Sequence, residues 1–524
     1  MKASILSVIA IDILAIVASA LGQITTSQFN NQRTGSVLNE VYLTPRNVNA
    51  SQFGKLGAFK VDGAVYAQPL FVPSVEIPGK GKHDVLFVAT EHDSVYAFDA
   101  ARPNDVPLWH VSFLDKKRSL TTVPARDVQC PFIQPEVGIT ATPVIDINTG
   151  TLYVLARTMS DPIFGDKQYF QHLHALAITT GVEKFNGPKI ITASVSGRGA
   201  GSKNGQVRFD PLLQNPRAAL ALVNNTVYLA WASSCDLDPY HGWLMAYDPK
   251  TLEQRAVLNV TPDGDQGGIW ASDTGLAADS QGNVYVPTAN GTFDASSGGR
   301  DYGDSVLKLA IDGSSIVIRD YFTPYDQARL SEADADLGSS GPTLLPDQPG
   351  PHPHLLIQPT KGSVIYVIDR DRMGEFHPEG DAIVQRLRMA GGGYGAMAYW
   401  NAHVFFACSD DFLRDYGLTK GQLILNRYSE MRFENPGATP SISANGNKDA
   451  VVWTVATKTW NGEDRPAILY AFDANNVEKP IYTSEQNGNR DRAAIATRFV
   501  IPVVANGRVY FGARGQVEVY GLLK

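Results

Sequence analysis

The chain runs to 524 residues with a formal net charge of −8, and its 45 lysines and arginines form no long basic block. Nucleic-acid binding needs cations clustered over phosphates, so that class of partner is excluded as an expectation. With 44% hydrophobic residues, 47 glycines, 31 prolines, 21 tyrosines and 22 phenylalanines, the composition favours many short strands and tight turns around a large core over long helices.

At the N-terminus, "MKASILSVIAIDILAIVASALGQ" places Lys2 before an apolar run from Ile5 to Val17, followed by Ala18, Ser19 and Ala20. A positive start, a short apolar run and small residues fit a cleaved signal over residues 1–22. Asp12 interrupts a run already too short for a bilayer, so no stable membrane span is expected. The mature chain, residues 23–524, is read as one secreted domain, extracellular or periplasmic. Four N-x-S/T sequons, at Asn49, Asn224, Asn259 and Asn290, make it a candidate glycoprotein in a eukaryotic host.

From residue 64 onward one pattern recurs: an apolar pair, a turn, an apolar strand often containing "VY", a polar tip, and an apolar strand often ending in Asp. "KHDVLFVATEHDSVYAFDA" (82–100) is an early copy and "NGRVYFGARGQVEVYGL" (506–522) the last, with eight copies in all. A three-stranded hairpin cannot bury both of its faces alone, whereas radial stacking buries each sheet against its neighbours, giving an all-β, eight-bladed β-propeller. The final copy stops after its third strand, and "FGKLGAFKVDG" (53–63) is expected to supply the missing outer strand and close the ring.

In a propeller, the segments that enter the innermost strands surround the axis. Here they are "EVGITATP" (136–143), "GGIWASDTG" (267–275), "DLGSSGPT" (336–343), "GGGYGAMA" (391–398), "NPGATPS" (435–441) and "RAAIATRF" (492–499). Their small residues either admit a ligand to the backbone or fit the narrow part of the ring. A small-molecule ligand in the central channel of a monomer is the expected arrangement.

Several local stretches resemble the pyrroloquinoline-quinone repeat family, and more closely its eight-bladed quinoprotein alcohol dehydrogenases. "GNVYVPTANGTFDASSGGRDYGDSVLKL" (282–309) resembles a family turn whose Asn binds calcium, which implies Asn290 as a metal ligand. "GGIW" resembles the segment whose Trp forms the floor under the quinone, implying Trp270, since a planar cofactor wants an aromatic face beneath it. "TKGSVIYVIDRDRMG" (360–374) resembles the strand whose basic residue contacts the quinone oxygens, implying Lys361. "SEADADLGSSGPTLL" (331–345) resembles the stretch carrying the catalytic base, and its spacing leaves Asp334 and Asp336 both open. The implied cofactors are pyrroloquinoline quinone and calcium, and the chemistry needs a base for the hydroxyl proton and a cation beside the hydride-accepting carbonyl.

The chain also departs from that pattern. The family often covers the quinone with a disulfide between adjacent cysteines, and here "VQCPFI" offers Cys130 alone, leaving it as the cofactor-covering candidate. The cysteines Cys130, Cys235 and Cys408 are an odd set at wide spacing, from which one pair can close in an oxidising compartment. In "SSCDLDPYHGWLMAYD" (233–248), Leu237 stands where the family has a calcium-binding Glu. Asp236 and Asp238 flank it, and Glu136 and Asp304 are further carboxylates that can replace the ligand. No C-x-x-C-H occurs to attach a haem.

Other polar residues have plainer readings. His92 sits at a hairpin tip in "TEHD" and reads as part of a polar turn. His172 and His174 share a strand face and read as packing, while His352 and His354 lie in a Pro-rich loop. Tyr240 and His241 are candidates for a pocket mouth. Three functions remain in view: a quinoprotein-type oxidoreductase acting on a small alcohol or sugar-like substrate, a cofactor-free propeller that binds a protein, glycan or small molecule, and a non-redox isomerase or cyclase of a secondary-metabolite pathway.

Overall fold

The structure, a computed structural model, describes residues 22–160, 165–272, 274–458 and 464–524. The expected signal segment therefore lies, apart from its last residue, outside the described residues. No helix among the described residues is long and apolar enough to cross a membrane.

Among the described residues eight sheets follow one another around an axis as blades, antiparallel but for Ser36–Val37 running parallel to Ser441–Asn445. A separate two-stranded sheet pairs Ser194–Ser196 with Gln206–Arg208. The first blade is typical: Leu70–Ile77, Gly81–Ala89, Ser94–Asp99 and Trp109–Ser112 lie side by side in sequence order. The hairpin repeat accounts for the inner three strands of each blade. The fourth strand, as in Trp109–Ser112 or Gln385–Arg388, has only half-buried and exposed residues because it faces solvent along the rim, and so it lacks the apolar signature of the others.

Apolar clusters bridge neighbouring blades rather than filling single sheets. Tyr228 and Leu244 pack with Val284 and Leu307, and Trp231 and Trp243 pack with Tyr153 and Leu173. One further cluster joins Phe59 and Val517 of the last blade to Val85 of the first and Val154 of the second, which makes the ring continuous. Burial of each blade on its neighbours is the main stabilising term of such a fold.

The ring closes where the sequence places the closure. Phe53–Ala64 pairs antiparallel with the C-terminal run Arg508–Leu522, with Phe59 opposite Val517. That run folds back on itself at Gly515, whose φ is +73°. The rings of Phe511 and Tyr520, nine positions apart, stack with centroids 5.7 Å apart, which a straight strand forbids.

A second feature has no repeat to announce it. Residues 24–40 run around the axis and bond to every blade in turn. Ile24 exchanges backbone hydrogen bonds with Phe71, and Thr25 O accepts from Ile145. Asn31 Nδ2 donates to Leu222 O, while the carbonyls of Asn31, Gln32, Thr34 and Gly35 accept from Ala278, Leu344, Tyr399 and Ile442. Gly507 N then donates to Glu40 Oε2. At the centre Arg33 is fully buried and donates to Leu276 O at 2.7 Å, Thr26 Oγ1 at 2.7 Å and Ser27 O at 2.7 Å.

Candidate functional site

At the axis, where segments enter the inner strands, lies a cavity of about 350 Å³. Its wall includes Trp270, Asp236, Asp334, Asp336, Lys361, Arg217, Arg498 and the disulfide partners Cys130 and Cys235. The glycines of the entry segments serve ring packing. A Cβ on Gly138 would lie 2.3 Å from Glu91 O, and one on Gly391 1.7 Å from Ser409 O, so the chain's own backbone fills those spaces.

Trp270 is held by a laced backbone. Ile269 N donates to Trp231 O at 3.1 Å, Ala271 N to Gly338 O at 3.1 Å, and Ser272 Oγ to Ser339 O at 2.9 Å. The indole thus faces the cavity from a fixed floor, and its Nε1 has no hydrogen-bond partner among the described residues.

Lys361 anchors the acidic side. Its backbone N donates to Ser339 Oγ at 2.8 Å, and its Nζ reaches Asp334 Oδ1 at 2.6 Å and Asp336 Oδ2 at 3.2 Å. Asn290 stands behind the two aspartates, outside the cavity wall. Its Nδ2 donates to Asp334 Oδ1 at 2.9 Å and its backbone N to Asp336 Oδ1 at 3.2 Å. Burial raises the Asp336 carboxyl to about 6 against the opposing charge of Lys361. Burial lowers the Lys361 pKa, but Asp336 and Asp334 outweigh it and the ammonium is held more firmly than in water. Beneath them Asp304 accepts from Leu337 N at 3.1 Å and Gln327 Nε2 at 3.3 Å, and burial pushes its carboxyl to about 8.

Cys130 finds its partner 105 residues away in Cys235 rather than next door, and Cys408 stays free and buried. The bond ties the excursion after the first blade, whose Val128, Phe132 and Ile133 line the cavity, to the tip that presents Asp236. Cys235 and Asp236 both take φ of +54°, a bend that turns the Asp236 carboxylate to the cavity, where it accepts from Tyr240 Oη at 2.8 Å. Also on the cavity wall, Arg217 lies 4.7 Å over Phe499 and Arg498 4.0 Å over Phe132. These guanidiniums, and Tyr394 beside them, carry no sequence signal beyond a place in or near an entry segment.

The other candidates lie elsewhere. Glu136 accepts from Thr122 Oγ1 at 2.7 Å and pairs with His92 Nδ1 at 2.7 Å, away from the cavity wall. Asp238 is exposed, and Leu237 also stays out of the wall. Tyr240 reaches the cavity only through Asp236, and His241 is buried against Thr261 and Ala200 O. His174 stacks on Phe113 with centroids 3.6 Å apart, which is packing. His92 sits in a polar turn as expected, its imidazole partly exposed, while Glu91 and Asp93 on either side of it are fully buried. Of the sequons, Asn224 is exposed and Asn49 half-buried, whereas Asn259 and Asn290 are buried.

Comparison with known proteins bears on the fold. No protein-family model matches the chain. No curated protein sequence matches it either. Among solved structures it is similar to the quinohemoprotein alcohol dehydrogenase of Comamonas testosteroni, with a TM-score of 0.63 at 14% identity over 96% of this chain and 81% of that one. A quinohemoprotein alcohol dehydrogenase of Pseudomonas putida HK5 gives 0.58 at 14% identity, covering 96% and 80%. A europium-containing methanol dehydrogenase gives 0.56 at 13%, covering 96% and 98%. At such identities the likeness establishes architecture: the chain is an eight-bladed β-propeller built like the quinoprotein dehydrogenases.

Proposed function

We propose that the protein is a secreted oxidoreductase of quinoprotein type, acting on a small alcohol or sugar-like substrate. The observation that carries this reading is the convergence of Trp270, Lys361 and Asp336 on one cavity, under a disulfide cover. The export reading draws support from the same disulfide, since such bonds persist in oxidising compartments.

The residues suit a flat, acidic quinone. Trp270 offers an aromatic face, Lys361 a fixed ammonium, and Arg217 and Arg498 two more cations on the same wall. The cavity of about 350 Å³ falls at the small end of the ~300–1,000 Å³ usual for ligand sites. Held there, such a quinone would supply the two-electron acceptor for the hydride of an alcohol C–H, the hydroxyl proton leaving through a base so that the alcohol becomes a carbonyl compound. Asp336 is the base that takes the hydroxyl proton, because its carboxyl, raised to about 6, is ionised at neutral pH yet close enough to it to accept a proton. Lys361 keeps positive charge beside the place where negative charge develops. The disulfide-tied cover keeps bulk water out.

Incubation with pyrroloquinoline quinone followed by alcohols and an artificial dye tests the proposal. Alcohol-dependent dye reduction is expected, rising as pH passes through about 6 because the ionised Asp336 is the active form. Asp336→Asn is expected to lower turnover by ~10²–10⁴ while quinone still binds. Quinone binding without turnover on any alcohol or sugar would instead favour a binding propeller.

A further inference from the structure

Calcium fits this site less well than the quinone does. Ca²⁺ takes roughly 6–8 oxygens, and the acidic side has few left to offer. Asp336 spends Oδ1 on Asn290 N and Oδ2 on Lys361, Asp334 Oδ1 receives both Asn290 Nδ2 and Lys361 Nζ, and Asp236 Oδ1 receives Tyr240 Oη. Leu237, beside Asp236, brings no oxygen from its side chain, and Asn290 Oδ1 is one buried neutral acceptor behind the wall. Among the described residues no group of three or more His, Cys, Asp or Glu is placed to hold a metal ion.

We infer that the ammonium of Lys361 takes the place of a divalent cation between Asp334 and Asp336, so that the site assembles and binds its ligand without metal. This role rests on the quinoprotein reading only for the identity of that ligand. The charge count agrees: Asp236, Asp334 and Asp336 on the cavity wall are matched by Lys361, Arg217 and Arg498 on the same wall. A covalently tethered ammonium in contact with both carboxylates needs no capture from solution. A divalent ion entering there must displace it and leave it in a partly buried site beside a like charge.

The test needs no turnover. Purified protein is titrated with Tb³⁺ and, separately, with Ca²⁺, reading Tb³⁺ emission sensitised by tryptophan and the midpoint of thermal unfolding. Wild type is expected to show no saturable Tb³⁺ emission, and neither Ca²⁺ nor a chelator is expected to move its melting midpoint. Lys361→Ala frees both carboxylates and is expected to gain Tb³⁺ affinity by about ten-fold or more, a gain lost again in Lys361→Ala with Asp336→Asn. Stoichiometric Ca²⁺ or Tb³⁺ binding by wild type that Asp336→Asn removes would overturn the inference. So would a fall in unfolding midpoint when the native protein is treated with chelator, a result that needs no variant to fold. If quinone never binds, the functional proposal fails while these titrations still decide the role of Lys361.

Discussion

Glu91 shows what a residue's position in the ring does to its chemistry. It stands at a hairpin tip, yet it is fully buried, accepts from Gly138 N at 2.7 Å and Thr140 Oγ1 at 3.1 Å, and burial raises its carboxyl to about 7. A folded-state pKa above the unfolded one means the folded protein holds the proton more tightly, so stability is full below about 4.5 and falls as pH rises from there to about 7. Glu91→Gln keeps an acceptor and removes the titration. Its unfolding free energy is expected to exceed that of wild type by on the order of 3 kcal/mol above pH 7, with the gap closing near pH 4, as read by denaturant titrations across pH. An equal pH slope in both proteins would refute the assignment. Trp270, Lys361, Asp334 and Asp336 could be singled out from the sequence because each lies in a short stretch that resembles a family motif, and all four line the cavity. Arg217 and Arg498 could not, since nothing in their own stretches marks them and only the closed ring brings Arg217 of the third blade to the segment carrying Arg498 and Phe499.

Among the elements, the excursion between the first and second blades forms a cover cross-linked at one point. Apart from the disulfide it is held by antiparallel pairing of Leu120–Pro124 with Thr151–Ser160, by Tyr66 Oη donating to Phe132 O at 3.1 Å, by Arg498 over the Phe132 ring, and by Asp127 with Lys167 and Tyr169. A cross-link spanning 105 residues stabilises by up to about 5 kcal/mol through the unfolded chain. Reduction, or Cys130→Ser with Cys235→Ser, is expected to lower the unfolding midpoint and to speed tryptic cleavage after Arg126, whose side chain is exposed but whose backbone the cover holds in place. It is also expected to increase acrylamide quenching of tryptophan emission, and that increase should vanish when Trp270→Phe is added. Unchanged cleavage and quenching would show that the cover stands without its pin. The cover was hard to read from sequence because its two cysteines lie in unlike, irregular segments, whereas the blades announce themselves through apolar alternation. The outer strands hide for the opposite reason, their exposed residues resembling loops.

At the scale of the whole molecule, the repeat and its closure were legible because the same hairpin recurs to the last residues and a lone strand precedes the first copy. The strap of residues 24–40 was not, since it borrows backbone bonds from every blade and needs no apolar pattern of its own. Arg33 at its centre satisfies three acceptors at 2.7 Å, and each buried carbonyl left without a donor costs about 1–3 kcal/mol. Arg33→Met is therefore expected to destabilise the ring by roughly 3 kcal/mol or more in chemical denaturation while it remains folded at room temperature. A neutral result would mean the strap is ornament rather than latch. The central claim, that the axial cavity is a quinone site, is tested most directly by titrating wild type, Trp270→Ala and Lys361→Ala with pyrroloquinoline quinone and following absorbance and tryptophan quenching. The account predicts saturable binding of one equivalent by wild type, with both variants weakened by about ten-fold or more. No saturable binding by wild type, or identical curves for all three proteins, would contradict it.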